Sequence, residues 1–133
     1  MIKVNIVKSD TTIVAKVVII DEKGRVLFLK RSDYVEKFAG EWDLPGGHLK
    51  EGESLVSGLE RETSEETGID INVPDFLTNM DNLNFFLCKY NSQPIKLSHE
   101  HVDYKFFEKE DLDPNEKFQK IALKALEKTG EPR

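Results

Sequence analysis

Residues 47–69 read GHLKEGESLVSGLERETSEETGI, and within them Gly47, Glu53, the pair Arg61-Glu62, the pair Glu65-Glu66 and Gly68 stand at fixed intervals. In a helix, with about 100° between successive residues, Glu62, Glu65 and Glu66 are related by i, i+3 and i+4 and share one face. Carboxylates so placed repel one another. They also precede Gly68, a residue suited to the position that ends a helix, and therefore crowd the negative end of the helix dipole. Such a cluster raises the pKa of its members or destabilises the turn unless a cation binds it. Oxygen donors without cysteine or paired histidine beside them suit Mg²⁺ or Mn²⁺ rather than zinc. Mg²⁺ takes only one or two protein carboxylates and completes its octahedron with water and substrate phosphate, so the expected ligand is phosphorylated.

As a pattern the stretch is G-x5-E-x7-R-E-U-x-E-E-x-G-U, where U is a bulky aliphatic residue, and it resembles the signature box of the Nudix hydrolases. That family cleaves nucleoside diphosphates linked to another moiety. An accidental match of the exact residue types arises at on the order of 10⁻⁸ per starting position. The resemblance implies roles by position: Glu65 and Glu66 as metal ligands, and Glu62 as a ligand or the catalytic base. Arg61 would orient the catalytic carboxylates with its rigid fork, with Glu53 as its partner. Upstream, Trp42-Asp43-Leu44-Pro45-Gly46-Gly47 is similar to the W-x-x-P-G-G lead-in of many Nudix sequences, which makes the Gly46 carbonyl a further metal ligand. Many members also bring an acid to the metal from a later loop. In Ser98-His99-Glu100-His101-Val102-Asp103-Tyr104 the candidate is Glu100, with Asp103 second, and His99 or His101 would titrate near neutral pH. Two positions depart from the pattern. Thr63 replaces an aliphatic residue, and Gly58 stands where alanine is more usual, at an expected cost of roughly 0.5 to 1 kcal/mol.

The rest of the chain fits a small enzyme. Its 133 residues are expected to form one domain, 1–133, with one core. A net charge of −6 and the lack of a basic run disfavour nucleic acid as a partner and favour a small nucleotide substrate. No apolar stretch approaches the roughly 20 residues of a membrane span and the N-terminus has no secretory apolar region, so a cytoplasmic location is expected. The single cysteine, Cys88, lies in an apolar run and reads as a buried thiol. No heptad or interface stripe indicates an oligomeric state.

Residues 11–20 and 25–29 are β-branched or apolar runs joined by Asp21-Glu22-Lys23-Gly24, a hairpin signal. Further strands are expected over 2–7, 83–90 and 102–108. The box helix is expected over Ser54 to Thr67 with Leu55, Val56 and Leu59 as its apolar face, and a second helix over Asn115 to Lys128 with Phe118, Ile121, Ala122, Leu123, Ala125 and Leu126 facing inward. The expected class is α/β: a mixed or antiparallel sheet sandwiched between helices, as in the Nudix fold.

The implied reaction is Mg²⁺-dependent hydrolysis of a diphosphate bond. Two substrate classes stay open: ADP-ribose, dinucleoside polyphosphates or similar nucleoside diphosphate derivatives, and the (deoxy)nucleoside triphosphates cleaved by MutT-like enzymes. A Nudix-fold module that senses a nucleotide without cleaving it is the third reading, disfavoured because every box carboxylate is present. Asn79, Asn82, Asn84, Phe85, Phe86, Trp42 and Tyr34 are candidates for a base or sugar pocket, though aromatic runs more often build cores.

Overall fold

The computed structural model describes residues 12–33 and 38–129. The strand expected over 2–7 and the pocket candidate Tyr34 lie outside the described residues. The architecture begins with β1 (Val14–Ile20) and β2 (Val26–Arg31), the expected hairpin. Asp21 builds its turn: one carboxylate oxygen accepts from the Lys23 and Arg25 amides at 3.0 and 2.8 Å, and the other accepts from the Arg25 guanidinium at 2.8 Å.

Short strands β3 (Trp42–Asp43) and β4 (Gly46–His48) follow, and then helix α1 (Leu55–Thr67). The chain continues through β5 (Asp75–Met80), β6 (Leu83–Lys89), β7 (His101–Phe107), a single 3₁₀ turn and helix α2 (Lys117–Thr129). The strands form one mixed sheet. Strand β1 pairs with β6 in parallel along its whole length and with β4 and β2 antiparallel, while β2 pairs with β7 and β3. The hairpin strands touch in register only at Ile20 and Val26. Beyond that pair they diverge: β1 runs beside β4 and β2 beside β3, and the sheet opens between them.

Strand alternation fills both sides of the sheet, as period 2 requires. Ala15, Val17, Ile19, Leu27, Leu29, Phe86 and Cys88 join Leu59 of α1 in one core. Val18, Val26, Phe28, Phe85, Leu87 and Phe107 join Ile121, Ala122 and Ala125 of α2 in the other. The expected α/β sandwich is thus observed, and Cys88 is buried as expected. No helix among the described residues is long and apolar enough to cross a membrane.

Several details differ from expectation. Val56 is exposed, so Leu55 and Leu59, with Gly58 and Thr63, form the inward stripe of α1. The pocket candidates divide among structural tasks. Phe85 and Phe86 are core, and Trp42 packs edge-on against Phe107 with ring centroids 5.3 Å apart. Asn79, Asn82 and Asn84 stitch the β5–β6 turn and the entry to β1: Asn79 donates to the Leu83 carbonyl at 3.2 Å and to Asn84 at 3.0 Å, Asn82 donates to the Thr12 carbonyl, and Asn84 donates to the Val14 carbonyl at 3.3 Å. Their amides are spent on backbone.

Candidate active site

Helix α1 starts and stops where its sequence directs. The Ser54 hydroxyl accepts from the Ser57 amide at 3.1 Å, an N-cap. Gly68 ends the helix with φ of 77°, and its N–H donates to the Ser64 carbonyl. Between these ends Glu66 is buried and Glu62 half-buried against the Gly46-Gly47 segment, whereas Glu65 is exposed. The Gly46-Gly47 segment closes the other wall. The Gly46 amide donates to the Glu66 carboxylate at 3.0 Å, and a Cβ on Gly47 would stand 2.6 Å from a Glu62 oxygen. Gly46 itself adopts φ of 129°, and a Cβ there would lie 2.1 Å from the Ala15 carbonyl. No side chain fits at that point.

Arg61 holds the entrance to this wall. Its Nε and one terminal nitrogen grip Glu53 at 2.6 and 3.1 Å, and the same terminal nitrogen donates to the His48 carbonyl at 3.1 Å. The other terminal nitrogen reaches Glu62 at 3.3 Å and Glu65 at 3.1 Å. Glu53 also accepts from the Lys50 amide at 2.6 Å. Its bond to Arg61, joined by that amide, holds its carboxyl down at about 2. Arg61 and Glu53 thus meet fork on carboxylate.

The remaining carboxylates are shifted the other way. Burial pushes Glu62 above the usual carboxylate range against the pull of Arg61, with Glu65 and Glu100 adding to the rise. Burial likewise pushes Glu66 up to about 8, opposed by Lys16 and the Gly46 N–H. Both are carboxyls short of positive charge.

Glu100 arrives beside Glu62 through backbone bonds at the end of α1. The last-turn carbonyls of a helix need donors from elsewhere. Those of Glu66 and Thr67 accept from the Ser98 and Lys96 amides at 3.0 and 2.8 Å, which docks the loop before β7 onto the helix end. Glu100 is exposed and acts on the Glu62 carboxyl electrostatically. Asp103, the second choice, is exposed in mid-strand opposite Lys30. His101 corrects a sequence expectation. It opens β7 rather than lying in a loop, is buried, and has neither ring nitrogen hydrogen-bonded; burial lowers its pKa from the ordinary imidazole value, against the pull of Asp43 and Glu100.

Two residues were missed from sequence, Lys16 and Asp43. The Lys16 ammonium bonds both Asp43 oxygens at 3.0 Å and the Leu44 carbonyl at 3.1 Å, and Arg31 stands 3.5 Å from the same carboxylate. The signal was Lys16 itself, the lone charge in TTIVAKVVII.

Among the described residues, no group of three or more His, Cys, Asp or Glu side chains is gathered so as to hold a metal ion. The hydrogen bonds supply the reason: Arg61 draws Glu65 outward, and Glu66 is turned to the Gly46 amide. The chemistry of the donor set still fits a hard divalent cation, because its members are all oxygen and two of them carry raised pKa values.

The chain resembles known proteins in sequence and in fold. A MutT protein from Methanosarcina mazei Go1 is 32% identical in sequence and superposes with a TM-score of 0.72, covering 89% of this chain and 95% of that one. An Ap4A hydrolase from C. elegans is 26% identical with a TM-score of 0.65, covering 84% of this chain and 93% of that one. The 8-oxo-dGTP diphosphatase of Buchnera aphidicola is 35% identical over 88 residues, 65% of this chain and 58% of that protein. The matched stretches span 34% and 29% of the length of two other curated relatives. The family model for the NUDIX domain matches residues 10–128, and the chain belongs to that family.

Proposed function

We propose that this protein is a metal-dependent hydrolase of phosphoanhydride bonds in a nucleotide. The observation that carries the reading is Glu66, a carboxyl only 7% exposed, one helical turn from Glu62 on α1 and bonded to the Gly46 amide. Burying a carboxylate costs free energy that Lys16 only partly offsets, and a divalent cation bound there would offset more. Glu62, Glu65, Glu66 and the Gly46 carbonyl would hold Mg²⁺ or Mn²⁺, with Glu65 exchanging its bond to Arg61 for the metal. The bound ion supplies neutralisation of the phosphates and acidification of a water. Arg61, held by Glu53, keeps Glu62 in place, and Glu100 or Glu62 takes the proton of the attacking water. Positioning and electrostatics suffice without a covalent intermediate.

For the substrate, similarity to the MutT protein over nearly the whole of both chains favours a (deoxy)nucleoside triphosphate, with 8-oxo-dGTP among the candidates. A second reading, a nucleoside diphosphate derivative such as a dinucleoside polyphosphate or ADP-ribose, is favoured by the likeness to the Ap4A hydrolase. A Mg²⁺-dependent screen against dNTPs, 8-oxo-dGTP, Ap4A, ADP-ribose, NADH and FAD, with Glu65→Gln as control, tests both. Expected are turnover of one class, label from ¹⁸O-water in a phosphate product, and a large loss in the control. Nucleotide binding with every phosphoanhydride left intact would instead make the protein a sensing module.

A further inference from the structure

We infer that Lys16 and Asp43 are positioning residues for the metal site: their ion pair fixes the backbone that carries Gly46 against strand β1 and Glu66. This rests on the metal-dependent reading above. Lys16 is the one charged residue in a strand whose other members from Val14 to Ile19 are buried and apolar, and it is itself 8% exposed. Its hydrogen bonds go to one segment, with both Asp43 oxygens at 3.0 Å and the Leu44 carbonyl at 3.1 Å, while its ammonium lies 5.6 Å from the centre of the Phe118 ring of α2. An ammonium has three donors, so this set of acceptors saturates it.

The next residues continue the seam. The Val17 amide donates to the Pro45 carbonyl at 2.9 Å, Gly46 lies opposite Lys16 in the β1–β4 ladder, and the Gly46 amide donates to Glu66 at 3.0 Å. Four consecutive residues, Asp43 to Gly46, are therefore fastened to β1 or to the catalytic helix by named bonds. A Cβ on Gly46 would sit 2.7 Å from the Lys16 Cα, so the two backbones approach too closely there for any side chain.

Stability alone does not explain the pair. Replacing a buried ion pair with apolar side chains of similar volume is often neutral or favourable, and this strand is otherwise apolar. What an apolar pair would lose is direction. Hydrophobic contact tolerates sliding, whereas an ammonium saturated by two oxygens of Asp43 and the carbonyl of Leu44 fixes where the segment stops. Groups that orient a metal ligand from behind typically change metal affinity by about 10- to 100-fold when removed.

The test compares wild type, Lys16→Met and the double variant Lys16→Met/Asp43→Asn. Mn²⁺ affinity is measured by electron paramagnetic resonance and stability by urea unfolding. The single variant leaves a buried carboxylate with a weaker partner and should lose both stability and affinity. The double variant removes that orphaned charge and should regain stability while Mn²⁺ affinity stays down by about tenfold or more. Affinity that recovers together with stability, or that never falls, overturns the inference. So does a double variant that fails to fold, since the pair would then serve the fold and not the site. A wild-type protein that binds no Mn²⁺ defeats the metal-dependent reading itself, a result separable from the others.

Discussion

Glu66 ties the proposed metal site to pH. Burial pushes its carboxyl up to about 8 from 4.5, against the pull of Lys16 and the Gly46 N–H. Between those values the folded protein binds a proton that the unfolded chain has released, so stability of the metal-free protein falls as pH rises through this window. Metal needs the carboxylate, so its affinity should rise with pH and level off above about 8. At about pH 7, Mg²⁺ binding should release close to one proton per protein, measured by calorimetry in buffers of differing ionisation enthalpy. Release of none would mean that Glu66 is already ionised or is not a ligand. Thr63 gives a second residue-level expectation. Its side chain is fully buried and its hydroxyl has no partner, so Thr63→Val should stabilise the protein by about 1 kcal/mol in urea unfolding. Glu62, Glu65 and Glu66 were legible as one group because i, i+3 and i+4 spacing along a helix converts directly into a shared face, whereas Glu53, which precedes the Ser54 cap, and Arg61 were picked out by the resemblance alone. Lys16 and Asp43 were not, since their contact joins residues 27 apart through sheet register.

At the scale of elements, α1 shows where local propensity misleads. Gly58 looked like a helix weakened by a missing methyl. A Cβ there would lie 2.7 Å from Leu49 Cγ and 3.1 Å from a Glu53 oxygen, so the glycine lets the loop carrying Leu49 and Glu53 lie flat on the helix. The propensity gain of Gly58→Ala is about 1 kcal/mol, and overpacking typically costs about 1–3 kcal/mol. The substitution should therefore be net destabilising, and it should lower turnover by shifting Glu53 off Arg61; a higher urea midpoint with unchanged turnover would refute this. Helix boundaries were otherwise readable from Ser54 and Gly68, whose cap chemistry is local. Strands β3 and β4 were not, being two and three residues long and ordered by their neighbours rather than by any alternation of their own. Strand β5 escaped for a related reason: of DFLTNM only Leu77 is buried, so an edge strand left no period-2 signal.

On the scale of the whole molecule, the sheet separates two cores with different duties. Leu59, fully buried, anchors α1 and with it Glu62, Glu65 and Glu66. Ile121, 5% exposed, anchors α2 on the opposite face, a helix that carries none of the candidate site residues. Truncating either side chain to alanine removes similar apolar volume and should cost about 2–5 kcal/mol of stability. The consequences for catalysis should diverge. Leu59→Ala opens a cavity under the helix that carries Glu62 and Glu66, where a small shift would misplace the proposed ligands, so turnover per folded molecule should fall by about tenfold or more. Ile121→Ala leaves the α1 layer packed, and its folded fraction should turn over at the wild-type rate. Measuring kcat at low temperature, where both variants are folded by circular dichroism, separates the two effects. Equal losses of kcat would show that the sheet transmits strain between its faces and that no such division of labour exists.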